Sequence, residues 1–192
     1  LSIFYNNINN SIILASLDHS SSLFTYVNLN QYITQGYQIN FNNRIYPWLE
    51  IKLGMGQTGR NQIFNNVSEN EMVYSTDVMS QLNYLWRKTQ LRFNVYYKNN
   101  GEYPEIFIGA DDQALKKIIS TYHTMDLSVS RQFWKNQLTI QTGVKNLFDV
   151  KNIDVRGNTS MGEIHSGGGE TSMAGWGRTF FVQLNISFKR FN

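Results

Sequence analysis

Alternation with a period of two runs through nearly the whole chain and constrains its fold more than any other feature. In the C-terminal run "GWGRTFFVQLNISFKRFN", Phe180, Val182, Leu184, Ile186 and Phe188 share one parity, while Gln183, Asn185, Ser187 and Lys189 hold the other. Successive side chains of a strand point to opposite faces, so such a run reads as a strand with one apolar and one polar face. Further back, Val27, Leu29, Ile33, Tyr37, Ile39 and Phe41 alternate with Asn28, Asn30, Thr34, Gln38, Asn40 and Asn42. Leu49, Ile51, Leu53 and Met55 oppose Glu50 and Lys52, and Val78, Leu82, Tyr84 and Trp86 oppose Asp77, Gln81 and Asn83. Three later runs, around Leu91–Tyr97, Met125–Phe133 and Leu138–Val144, behave alike. With the opening "LSIFYNNINNSII", template matching gives about eight strands of about 9–11 residues.

The connections alternate as well. Short turns are expected at Asn42 to Pro47, Trp86 to Thr89 and Trp134 to Gln137. Long polar loops are expected at Thr58 to Glu71, Asn99 to Ser120 and Asp149 to Gly175, with a short helix at "DDQALKKII" (Asp111 to Ile119). Short turns at one rim and long loops at the other are the signature of an up-and-down antiparallel meander. No Pro/Ser-rich linker divides the chain, which reads as one architectural unit.

Two kinds of solvent could meet the apolar faces. In a soluble β-sandwich they would be buried in protein; in a membrane barrel they would face lipid, with the charged parity lining the lumen. Trp48, Trp86 and Trp134 each lie beside a different short turn. Indole rings favour boundaries with one apolar and one wet side, so this placement predicts a membrane-interface belt. Sandwich tryptophans belong in mid-strand instead. Charged residues expected on the polar face are Glu50, Lys52, Asp77, Arg92, Asp126, Arg131, Lys145 and Arg178. Charged residues make up only 16% of the chain, below the roughly 25% of soluble domains; it is the long strands, the belt and the loop asymmetry that together favour the membrane reading. The +3 net charge is scattered, without a basic block, which argues against nucleic acid as a partner. The absence of cysteine excludes disulfides and thiolate metal sites.

"LTIQTGVKNLFDVKNID" (Leu138 to Asp154), followed by "GWGRTFFVQLNISF" (Gly175 to Phe188), resembles the last two strands of TonB-dependent outer-membrane receptors. "YVNLNQYITQGYQINF" and "TYHTMDLSVSRQF" are similar to earlier strands of that family. The resemblance implies an all-β, transmembrane antiparallel up-and-down β-barrel of about 22 strands, of which this chain supplies about eight at the C-terminal end. Residues 1–192 would then be the C-terminal part of the barrel, with no plug domain in this stretch. The implied activity is TonB-dependent import of a scarce nutrient complex such as a siderophore, haem, cobalamin or glycan. Implied partners are the TonB complex acting through the plug, outer-membrane lipid, the barrel-assembly machinery, and the imported ligand with or without a surface lipoprotein. The family's terminal strands carry an aromatic assembly signal, for which Phe188 and Phe191 are the candidates. The alternative is a self-contained eight-stranded outer-membrane barrel with a structural or adhesive role.

Candidate ligand residues lie on the long loops. His165, with Met161 and Met173 nearby, has the donor types for iron or copper, although no ligand spacing is enforced. Asp111 and Asp112 form an acidic pair suited either to a cation or to capping the expected helix. His123 and Asp126 are three apart in a strand, so they face opposite sides and make no dyad. With no nucleophile–base constellation, no catalytic residue, cofactor or resident metal is expected.

Overall fold

The computed structural model describes residues 1–17, 24–64, 72–108, 114–134, 137–157, 171–173 and 175–188. These form β1 (Ser2–Ser16), β2 (Phe24–Tyr46), β3 (Leu49–Ile63), β4 (Val73–Trp86), β5 (Leu91–Asn100) and β6 (Tyr103–Ile108). There follow β7 (Ala114–Ile119), β8 (Tyr122–Phe133), β9 (Leu138–Lys145), β10 (Asn152–Gly157), β11 (Thr171–Met173) and β12 (Thr179–Ile186). All twelve join one sheet in the order β11-β10-β7-β6-β1-β2-β3-β4-β5-β8-β9-β12. The eight strands expected from alternation are all present as the antiparallel wall β1-β2-β3-β4-β5-β8-β9-β12. The sheet is open, with β11 and β12 at its edges, so closure into a barrel is not part of this arrangement.

Register follows parity. Ile39, Met55 and Val78 lie side by side on β2, β3 and β4, and a separate apolar row runs through Leu82, Val95, Leu127, Val144 and Phe180 on β4, β5, β8, β9 and β12. Matching apolar positions across strands keep the wall in register, because a one-residue slip would turn every side chain to the wrong face.

Several expectations are corrected. β1 to β4 run 15, 23, 15 and 14 residues, longer than a single membrane crossing requires. β3 continues to Ile63 where a loop was expected from Thr58. The two later "loops" carry β6–β7 and β10–β11, and the segment expected to be helical is strand β7. In β7, Lys117 and Ile119 are buried while Lys116 and Ile118 are half-buried, a period of two. β7 is paired with β6 on one side and β10 on the other, which outweighs the marginal stability of so short a helix.

Packing is thickest at this long-loop end. Ala15 and Leu29 are buried against Ile106 and Ile108, with Ile13, Val27, Tyr32 and Phe64 around them. Phe107, Ile119, Ile153 and Val155 form a second cluster. Along the rest of the wall large apolar side chains stay exposed, including Phe41, Leu53, Phe180 and Leu184.

Candidate functional site

All three short turns lie at one end of the meander, the first confined to Pro47 and Trp48 because β2 pairs with β3 through Asn42 to Tyr46, where a turn was expected. There Trp48 stacks on Tyr46 at 4.9 Å and meets Tyr84 edge-on at 5.6 Å, and Tyr84 lies 6.2 Å from Phe93. Trp86 and Trp134, exposed at the neighbouring turns, extend the aromatic line. At the opposite end His123 meets Phe148 edge-on at 5.2 Å and lies 6.3 Å from Tyr97. This second ring cluster has no local signature in the sequence, because Phe148 and Tyr97 are distant in the chain from His123. Ten residue steps separate His123 from Phe133 on β8. At about 3.3 Å each and a tilt of roughly 40°, they span about 25 Å, the height of a lipid-facing band.

The opposite face carries a polar ladder. Glu50, Asn83, Asn94 and Ser128 lie in register on β3, β4, β5 and β8. Asn83 donates to Glu50 Oε2 at 3.0 Å, Asn94 donates to Asn83, and Gln141 donates to Ser128 Oγ at 3.2 Å. Lys52 pairs with Glu50 at 3.7 Å. A cavity of about 620 Å³ opens here near the short turns, lined in part by Arg44, Glu50, Asn83, Arg92 and Asn94. Two residues expected on this face belong elsewhere. Arg131 lies in register between Leu91 and Ile140, on the apolar parity, with its guanidinium 5.0 Å from the Phe133 ring. Arg178 precedes β12 and donates from Nε to the Leu147 carbonyl at 2.9 Å. Its even number already put it with Phe180, and its place is the rim.

That rim contact belongs to a clasp built by "NLFD". Asn146 and Asp149 have φ of 52° and 59°, a left-handed conformation that Asn and Asp tolerate best after Gly. The Asn146 side chain donates to the Val150 carbonyl at 2.8 Å and accepts from its N–H at 3.1 Å. Asp126 Oδ1 accepts the Asn146 N–H at 2.8 Å, which gives this carboxylate a structural role. Asp149 Oδ1 accepts the Arg178 N–H at 2.8 Å, and Lys151 pairs with its other oxygen at 3.4 Å. Gly177, at φ 78°, is required beside it, since a Cβ there would stand 2.6 Å from Asp149 Oδ1.

The Arg178 N–H, then Lys151, hold the Asp149 carboxyl below its usual range against slight desolvation. A carboxyl with a depressed folded pKa adds stability above its unfolded pKa and loses it as pH falls through the folded value. Exchange protection of the Arg178 amide is therefore expected to be constant from neutral pH to about 5, then to fall below pH about 4. Asp149→Asn should flatten that acid limb, as read by hydrogen exchange.

Of the proposed ligand residues, Asp111, Asp112, Met161 and His165 lie outside the described residues. Met173 ends β11 opposite Asn152 in register. Phe188 lies two residues past β12 and is exposed, while Phe191 lies outside the described residues. Among the described residues no cluster of three His, Cys, Asp or Glu side chains is placed to hold a metal.

A long antiparallel meander with an exposed apolar face, a hydrogen-bonded polar face and ring clusters at both ends defines the wall of a membrane β-barrel protein. Residues 1–170 match the model of the outer membrane protein beta-barrel family, and the chain belongs to that family. The match stops short of β12, and the family's description names no transport activity. No curated protein and no solved structure matches the chain.

Proposed function

We propose that this chain forms the C-terminal part of the wall and outer rim of a TonB-dependent importer for a scarce nutrient complex. The observation that carries the reading is the clasp, in which "NLFD" after β9 grips the Gly177–Arg178 start of the terminal strand. It supplies a physical role for the two elements whose sequence resembles that receptor family. The short turns with Trp48, Trp86 and Trp134 would face the periplasm, and β6–β7 and β10–β11 the exterior. Energy would reach the channel through a plug that engages TonB, and the wall itself would make and break no bonds.

The intact mass of the native polypeptide, extracted from outer membranes in detergent, tests this. The expected value is several times the 22.3 kDa of these residues. A mass near 22.3 kDa would overturn the reading in favour of a self-contained eight-stranded barrel, which the eight wall strands alone also suit.

A further inference from the structure

After β5 the chain does not leave the wall freely. The Gly101 N–H donates to Asp77 Oδ1 at 2.9 Å, and Asn99 donates to the Thr76 carbonyl at 3.2 Å. Asp77 shares the polar parity of Asn83, so the chain folds inward over the polar face. A Cβ on Gly101 would strike the Thr76 backbone and stand 2.6 Å from Ser75 Oγ, so only glycine permits this close seat. From there β6 crosses towards the far end of β1, where Phe107 pairs with Ser16 in parallel. Three inter-strand spacings of about 4.8 Å separate β4 from β1, and the four steps from Tyr103 to Phe107 cover a similar distance at about 3.3 Å each. The β6–β7 hairpin is thus a crossbar over the upper polar face. Arg156 Nη2, on β10, holds its start through Glu102 at 2.6 Å.

Beneath the crossbar lies an unusual pair. Arg60 and Gln62 share the polar parity of Glu50 and Lys52 on β3. Tyr32, in register with Gln62, packs against the cluster containing Ile106 and Ile108, so β6 covers this part of the sheet. Arg60 Nη1 and Gln62 Oε1 are both shielded from solvent, and among the described residues both lack a hydrogen-bond partner. Asn61 Oδ1 is also unpaired but belongs to the other parity. A buried polar atom left unpaired costs about 1–3 kcal/mol, so two on one face, two residues apart, need an explanation. Burial and the Glu105 carboxylate raise the pKa of the nearby Tyr103 phenol, while the Arg60 charge pulls it down, so the cation lies beside the crossbar.

We propose that Arg60 and Gln62 form the floor of a binding site, roofed by the β6–β7 hairpin, for a hydroxylated carboxylate. The guanidinium takes the carboxylate oxygen through a charge-assisted bond, and the Gln62 carbonyl accepts from a neighbouring hydroxyl. Successive residues on one face stand about 6.6 Å apart, a span that one small solute group bearing a carboxylate and a neighbouring hydroxyl bridges. The site uses only the polar face and the hairpin, so it stands whether or not the protein is driven by TonB.

The test is thermal unfolding of the detergent-solubilised native protein with malate, or with succinate, which lacks the hydroxyl. Malate is expected to raise the midpoint by about 2–4 °C in a saturable manner, and succinate by less. Arg60→Gln should abolish both responses, and Gln62→Leu should make malate and succinate equal. If Arg60→Gln fails to assemble, Arg60→Lys and Gln62→Leu decide the matter, the first retaining a weakened response. No malate response, or one unchanged in the Arg60 and Gln62 variants, overturns the site. Equal responses to malate and succinate in the unaltered protein overturn the hydroxyl contact and with it the proposed ligand class.

Discussion

Leu127→Arg is expected to destabilise the protein by about 2–4 kcal/mol, the cost of a guanidinium on the lipid face near the bilayer midplane. Leu127 sits between Val95 and Val144 in an apolar row, and is near the middle of the ten-step interval from His123 to Phe133. Depth should grade the effect. Leu184 shares its row with Ile140 and Arg131, and Arg131 reaches the Phe133 ring near the short-turn end. Leu184→Arg should therefore cost about 1 kcal/mol or less, because charge is tolerated near the interface. Asn185→Arg, on the polar parity, should be milder still. Reversible unfolding in lipid vesicles measures all three. Equal costs at 127, 184 and 185 would sink the lipid-facing assignment.

Gly143→Val should have the larger effect on assembly. Gly143 pairs with Ser128 on β8 and Phe181 on β12, in the middle of three strands. A Cβ there would collide with the Leu127 carbonyl, stand 2.8 Å from Ser128 Cβ and meet the Phe181 ring at 2.9 Å. Overpacking usually costs about 1–3 kcal/mol, but here one obstacle is backbone and cannot rotate away. The aromatic cross-strand neighbour covers a gap that only glycine leaves, and Lys145 Nζ lies 5.7 Å from the same ring. We expect Gly143→Val to abolish the folded, heat-modifiable gel band of the assembled protein. Adding Phe181→Ala should not restore it, because the Leu127 carbonyl remains in the way. Recovery in the double variant would show that the ring, not the backbone, sets the limit.

The wall was legible in the sequence because lipid and water impose opposite demands on neighbouring residues. Val95, Leu127 and Val144 declare their face by parity alone, and the structure pairs them. The rim was not legible, because its order comes from partners distant in the chain. Ala114–Ile119 has a helical composition, yet β6 and β10 on its two sides hold it extended. Charge alone points Arg131 and Arg178 to the polar face, although their numbers give the opposite parity. The polar ladder was implied by Glu50 and Asn83, but the crossbar over Arg60 depends on Gly101 seating against Thr76, a contact without a local signature. Asn-Leu-Phe-Asp was readable as a strand terminator; that Asp149 would reach the Arg178 amide was not.

The length of β2 has a consequence for what the cell surface presents. Its 23 residues, tilted by roughly 40°, rise about 55 Å, of which the lipid-facing band takes about 25 Å. On the proposed orientation about 30 Å of wall therefore stands above the hydrocarbon as a parapet, stiffened by the crossbar and by β10 and β11. Arg60 belongs to that parapet and not to the membrane crossing. On the import proposed above, any cargo taken there would be received at a height, clear of the lipid headgroups, before it descends into the bore.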